Sequence, residues 1–181
     1  LTDKNKKSFL ADYQNNCAKI IEKNSWDSNK LQQYLDQARE LQISDNFDQW
    51  ISLHKPFMEV VQFIKRAKND GYKIGIITTK GKLFTEKILT KIDISPDFLY
   101  GYESGSKTEI ITKLINDFKI KGFLEDRLKT LINVMRNSQT SNVPCYLADW
   151  GYLKESDRFN LPEKIKLLKL NDLNNKLANF D

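Results

Sequence analysis

The chain has 181 residues, 40% of them hydrophobic, which is enough for one buried core with a small accessory piece, and it carries a formal net charge of +5. Its longest apolar runs, such as Ile74-Gly75-Ile76-Ile77, fall far short of the roughly 20 residues that cross a bilayer, and the opening Leu1 to Lys7 lacks the apolar stretch of an export signal. No membrane partner and a cytoplasmic location are therefore expected, and because the bases are scattered among Asp and Glu, with Lys4, Lys6 and Lys7 the densest run, no nucleic-acid partner is expected either.

Residues 1–55 carry helical periodicity alone. Phe9, Tyr13, Cys17, Ile20 and Ile21 recur at three-to-four spacing, then Leu31, Tyr34, Leu35, Ala38 and Leu41, then Phe47, Trp50, Ile51 and His54. Three amphipathic helices are predicted, the second capped by Ser28 and the third by Asp45, with Asn24 to Asp27 breaking the first from the second. Cys17 and Cys145 are too few and too differently placed for a disulfide framework or a zinc cluster, and both read as buried thiols. His54, the only histidine, lacks a Ser or Cys partner in a nucleophile setting and reads as structural.

Beyond Pro56 helices alternate with short apolar runs. Phe57, Val60, Val61, Ile64 and Ala67 line a helix that Gly71 closes, followed by a strand at Lys73 to Ile77 and a helix around Leu83 to Leu89. A strand at Phe98 to Tyr100 precedes a helix with Ile110, Ile111, Leu114 and Ile115. Then come a strand at Gly122 to Leu124, a helix with Leu128, Leu131, Ile132 and Met135, strands at Val143 to Leu147 and Ile165 to Leu168, and a last helix over Asp172 to Phe180. Five strands joined by helical crossovers imply a doubly wound parallel α/β sheet, Rossmann-like, over residues 56–181, preceded by an all-helical segment.

Ligands of open parallel sheets bind at the carboxyl ends of the strands, and three such ends carry polar signals. The first reads Thr78-Thr79-Lys80-Gly81, where a hydroxyl beside a helix N-terminus either binds a phosphate oxygen or caps the helix. In Glu103-Ser104-Gly105-Ser106-Lys107, a lysine opens a helix whose dipole disfavours it, so it needs an anionic partner or faces water. Glu125-Asp126 places two carboxylates at the mouth of the sheet, compensated by Mg²⁺ or by a salt bridge to Arg127. Asp149, Glu155 and Asp157 are further metal candidates, and Trp150-Gly151-Tyr152 is a packed turn or a rim of the site.

In this order and spacing, these three segments resemble the second, third and fourth signature motifs of the haloacid dehalogenase (HAD) superfamily, most closely its helical-cap, phosphoglycolate-phosphatase-like members. The resemblance implies residues 1–55 as a cap or part of one, and Thr78 as ligand of the transferring phosphoryl group with Thr79 and Lys80 beside it. It further implies Lys107 as stabiliser of phosphoryl charge and positioner of the nucleophile, and Asp126 with Glu125 as ligands of Mg²⁺. The substrate implied is a small phosphorylated metabolite.

The family's first motif, Asp-x-Asp, is absent from the 181 residues; the nearest approach, Asp45-Asn46-Phe47-Asp48, has the wrong spacing and lies in a helical segment. Truncation explains this better than degeneration, since the chain starts without Met where that motif should just have ended. Without the attacking carboxylate the fragment is expected to be inactive. The alternative is a non-catalytic HAD-like phosphate-binding or regulatory module. Two structural expectations follow. Thr78, Lys107 and Asp126 should converge on one pocket, and the strands ending at Thr78 and Glu125 should stand apart around the place of a missing central strand rather than pair directly.

Overall fold

The structure is a computed structural model and describes residues 8–174. The run of Lys4, Lys6 and Lys7 and most of the last expected helix lie outside the described residues. The chain divides into two compact units, Leu1–Leu53 and His54–Asp181.

The first unit is helical, as its periodicity requires. After a helical turn at 8–11 come α1 (Tyr13–Lys23), α2 (Ser28–Asp45) and α3 (Phe47–Ser52). The break between α1 and α2 contains Ser25 in the left-handed region, φ 51°. Both expected caps sit one residue away from their predicted positions. The Asp27 carboxylate accepts from the backbone of Asn29 (2.7 Å) and Lys30 (3.1 Å), and the Asn46 side chain accepts from Gln49 (2.9 Å), because only from the residue before the first helical position does a short side chain reach those free N–H groups. Trp50 and Ile51 of α3 are buried, while α2 buries none of its residues. Cys17 is half-buried, against the expectation of a fully buried thiol, whereas Cys145 is buried.

The second unit alternates helices and strands. Its first helix, α4 (Met58–Asn69), ends as expected at Gly71, whose φ of 86° only glycine adopts without strain, and the Gly71 and Tyr72 amides donate back to Lys68 and Ala67. There follow β1 (Gly75–Ile77), α5 (Lys82–Lys91), β2 (Phe98–Tyr100), α6 (Lys107–Leu114), β3 (Phe123–Glu125), α7 (Leu128–Arg136), β4 (Cys145–Ala148) and β5 (Ile165–Leu168). A 3₁₀ turn at Leu170–Asn174 stands where the last helix was expected to begin.

All strand pairings are parallel, as crossover connections demand, but they form two separate sheets. β1 pairs with β2, and β3, β4 and β5 pair in that order. No ladder joins β1 to β3 among the described residues. Helix α4 packs against both sets of strands: Val61 and Ile64 join Leu89, Ile94, Ile76 and Leu99, and Phe63 joins Tyr146, Leu168 and Leu173. Ile77 of β1 and Phe123 of β3 pack together with a cluster of Ile111, Leu131, Val134, Cys145, Leu147 and Ile165. Side-chain packing thus spans an interval that backbone hydrogen bonds do not.

Candidate active site

Lys107 is the first residue of α6. The Ser106 hydroxyl and the Glu109 carboxylate cap that helix reciprocally: Ser106 Oγ accepts from the Glu109 amide (3.3 Å), and Glu109 Oε2 accepts from the Ser106 amide (2.8 Å). Donation to Glu109 Oε2 from the Ser106 amide and from the Ser106 hydroxyl (2.8 Å), with a smaller contribution from Lys113, holds the Glu109 carboxyl below its usual range. A lysine at the positive end of a helix needs an anion or water beside it, and here the ammonium forms an ion pair with Glu125 Oε2. Glu125 closes β3 with its side chain only 5% exposed, against 20% for Lys107. A carboxylate so buried is costly unless paired and hydrogen-bonded, so the pair is what lets β3 end on an acid. Arg127, the alternative counter-charge, is exposed and makes no ion pair with either acid among the described residues.

On the other side of the interval, the Thr78 amide donates to the Tyr100 carbonyl (2.9 Å) and its Oγ1 accepts from the Lys80 amide (3.1 Å), so the hydroxyl stabilises its own turn. Thr78 does not cap α5. That helix starts after Gly81, and its Lys82 amide is taken by Glu103 Oε1 (2.9 Å), an anion at the positive end of the helix. A further bond from the Tyr102 amide to the Lys80 carbonyl (3.1 Å) ties the two loops together. Gly101 is the hinge of this tie: a Cβ there would lie 2.3 Å from Glu103 Oε2 and 2.5 Å from the Lys82 nitrogen. Thr79 is exposed and Lys80 half-buried.

Asp126 follows β3. Its Oδ2 accepts from the Tyr152 amide (2.8 Å), and Gly151 lies so close that a Cβ there would stand 2.1 Å from Asp126 Cβ. Asp149, a candidate metal ligand in the sequence, is paired with Arg158, which also donates to the Asp149 carbonyl (3.1 Å), and Asp157 accepts from the Lys154 amide (3.1 Å). Trp150-Gly151-Tyr152, read from sequence as more often a packed turn than a rim of the site, contacts Asp126; a glycine shortly after a buried strand is the signal that points to such close backbone approach.

Lys107 is therefore paired with Glu125 at the end of β3, and Asp126 is the next residue along the chain. Thr78, Thr79 and Lys80 belong to the loop after β1, and no hydrogen bond joins Thr78 to Lys107 or Asp126 among the described residues. A cleft of about 480 Å³ beside α5 is lined by Lys82, Glu86, Thr90, Asp93, Ser95 and Asp97, not by these residues. Among the described residues no group of three His, Cys, Asp or Glu side chains is placed to hold a metal. What the end of β3 does offer is hard oxygen, with Asp126 Oδ1 lacking any protein partner among the described residues, and this suits Mg²⁺, which takes one or two carboxylates and completes its shell with water and substrate phosphate.

The family model of haloacid dehalogenase-like hydrolases matches residues 1–123, a span that includes Thr78 and Lys107 and stops short of Glu125 and Asp126. No curated protein and no solved structure matches the chain.

Proposed function

The chain belongs to the haloacid dehalogenase-like hydrolase family, and from that premise we propose that it is part of a Mg²⁺-dependent phosphohydrolase acting on a small phosphorylated metabolite. The observation that carries the reading is the break in the sheet with polar groups on both sides of it: Thr78 ends β1, while the Lys107–Glu125 pair and Asp126 end β3. A strand bearing Asp-x-Asp between them supplies the nucleophile, so the 181 residues alone are inactive. Residues 1–55 form a helical cap or part of one, as in the phosphoglycolate-phosphatase-like subgroup, and residues 56–181 form an α/β core.

In this reading the Thr78 hydroxyl donates to a phosphoryl oxygen, with Thr79 and Lys80 at the rim. The Lys107 ammonium offsets phosphoryl charge from a position that Glu125 fixes. Asp126 and, directly or through water, Glu125 hold the cation. Mg²⁺, when bound, offsets charge on the phosphoryl oxygens.

A second reading, a non-catalytic HAD-like module, draws support from the lack of a three-donor metal group among the described residues and from the engagement of Glu125 by Lys107. Hydrolysis of a generic phosphate monoester by the complete encoded polypeptide separates the two. We expect Mg²⁺-dependent turnover that falls by at least about a hundredfold in Asp126→Asn and in Lys107→Ala. An encoded polypeptide without Asp-x-Asp that still binds inorganic phosphate establishes the module instead.

A further inference from the structure

Asp126 is held from one side by a turn that belongs to a different part of the chain. After β4 the backbone runs Asp149-Trp150-Gly151-Tyr152, and the Gly151 amide closes it by donating to the Ala148 carbonyl (3.2 Å). This turn is fixed from two directions: the Asp149 amide donates to Leu168 at the end of β5 (2.9 Å), and Arg158 grips the Asp149 carboxylate and carbonyl together. It meets Asp126 in two ways. Gly151 presents bare backbone, since a Cβ would stand 2.1 Å from Asp126 Cβ and 2.7 Å from Oδ2, and the next amide, Tyr152, donates to that same Oδ2 at 2.8 Å.

A carboxylate on a single rotatable stem sweeps a wide arc unless something stops it. Here one oxygen is hydrogen-bonded to a backbone donor that is itself pinned, and the Cβ is packed against a residue with no side chain. Oδ1 is the oxygen left over. Loss of outer partners that orient a ligating side chain in this way typically weakens metal binding by about 10–100-fold.

We infer that the Gly151–Tyr152 turn, clamped through Asp149 by Arg158, is the positioning element that aims Asp126 Oδ1 at a divalent cation. The metal half of this inference rests on the phosphohydrolase reading; the contact itself does not. Gly151 and Arg158 are positioning residues, because they act through Asp126.

The test uses the complete encoded polypeptide, ¹⁵N-labelled, with Mn²⁺ as the probe. We expect the Tyr152 amide proton to resonate downfield and exchange slowly with solvent, and Asp126→Asn to shift it upfield. Gly151→Ala should remove the same signature and weaken Mn²⁺ binding by about tenfold or more. In the Asp126→Asn background, Gly151→Ala should produce no further weakening, an equality that general damage to the fold would not give. Should Gly151→Ala fail to fold, Arg158→Gln reads the same chain of contacts and is expected to move both signals in the same direction by a smaller amount, with Arg158→Lys recovering part of the change. A Tyr152 amide indifferent to Asp126→Asn overturns the inference, as does equal weakening of Mn²⁺ binding by Gly151→Ala in both backgrounds. An intact amide signature in a chain that leaves millimolar Mn²⁺ unbound overturns the metal role and the Mg²⁺-dependent reading with it, while the orienting contact stands.

Discussion

β4 and β1 are both short parallel strands that end in polar turns, yet they live under different rules. β4 has a hydrogen-bonded neighbour on each side, and all four of its residues are buried. β1 has one neighbour among the described residues, opens on an exposed glycine and buries none of its three residues fully. The difference teaches where rigidity comes from in this unit. The three-stranded half concentrates the fully buried side chains, Leu131, Val134, Leu147 and Leu168, and on that base it holds Glu125 and Asp126. The two-stranded half holds Thr78 mainly through hydrogen bonds laced between loops, which open more readily than a packed core does.

The sharpest way to break this comparison is truncation on each side. Leu147→Ala empties a site with no solvent exposure and should cost about 3–4 kcal/mol in urea unfolding, whereas Ile76→Ala, in half-buried β1, should cost about 1–2 kcal/mol. Equal losses would mean that the unit is uniformly packed and that the contrast in pairing carries no energetic weight.

Next in size is the Lys107–Glu125 pair. Lys107→Ala leaves a buried carboxylate without its counter-charge and should cost about 2–3 kcal/mol, while the double variant Lys107→Ala with Glu125→Gln should recover most of the loss. A single variant as stable as the parent would show that Glu125 reaches water without Lys107.

On the β1 side, Gly101→Ala should cost about 1–2 kcal/mol, because the Lys82 backbone at 2.5 Å cannot give way as a flexible side chain can. Glu103→Ala, which only removes the anion at the start of α5, should cost roughly 1 kcal/mol. If the larger loss came from Glu103→Ala, the loop tie would be electrostatic rather than steric.

The smallest effect concerns Cys145 in β4. Burial raises its thiol from 9.0 to about 11, so the folded chain keeps a proton that the unfolded chain releases first. Stability from this group is complete below pH 9 and is lost as pH rises from about 9 towards 11. Urea midpoints of the parent and Cys145→Ala should therefore fall by different amounts over that window, with the parent falling more.

The alternation of helices and strands was legible because period is a property of neighbours in sequence. Boundaries were less so. The strand expected from Lys73 begins at Gly75, since the Ile74 amide goes to Asp97 Oδ2 and its carbonyl accepts from Asp97 and Phe98, contacts that only the assembled loop reveals. Glu125, expected just past its strand, is the last residue of the strand and is buried there. For Lys107, helix electrostatics stated the need for an anion, but its identity depends on an approach across 18 positions. The turn at Gly151 shows the limit most clearly: it and Asp126 lie in separate strand–helix units, and nothing in either segment announces the other.

The edges of β1 and β3 that lack a neighbour among the described residues bear on how this chain alone behaves as a concentrated solute. A strand edge without a neighbour is a template for another chain, and fibrils grow from segments of about six or seven residues with high strand propensity and low charge. Each of these strands is three residues long, and Lys73 and Lys80 flank one while Lys121 and Arg127 flank the other. Shortness and flanking charge disfavour pairing of these edges with another chain, so a substitution that merely lengthened either strand is expected to trade solubility for a better ladder.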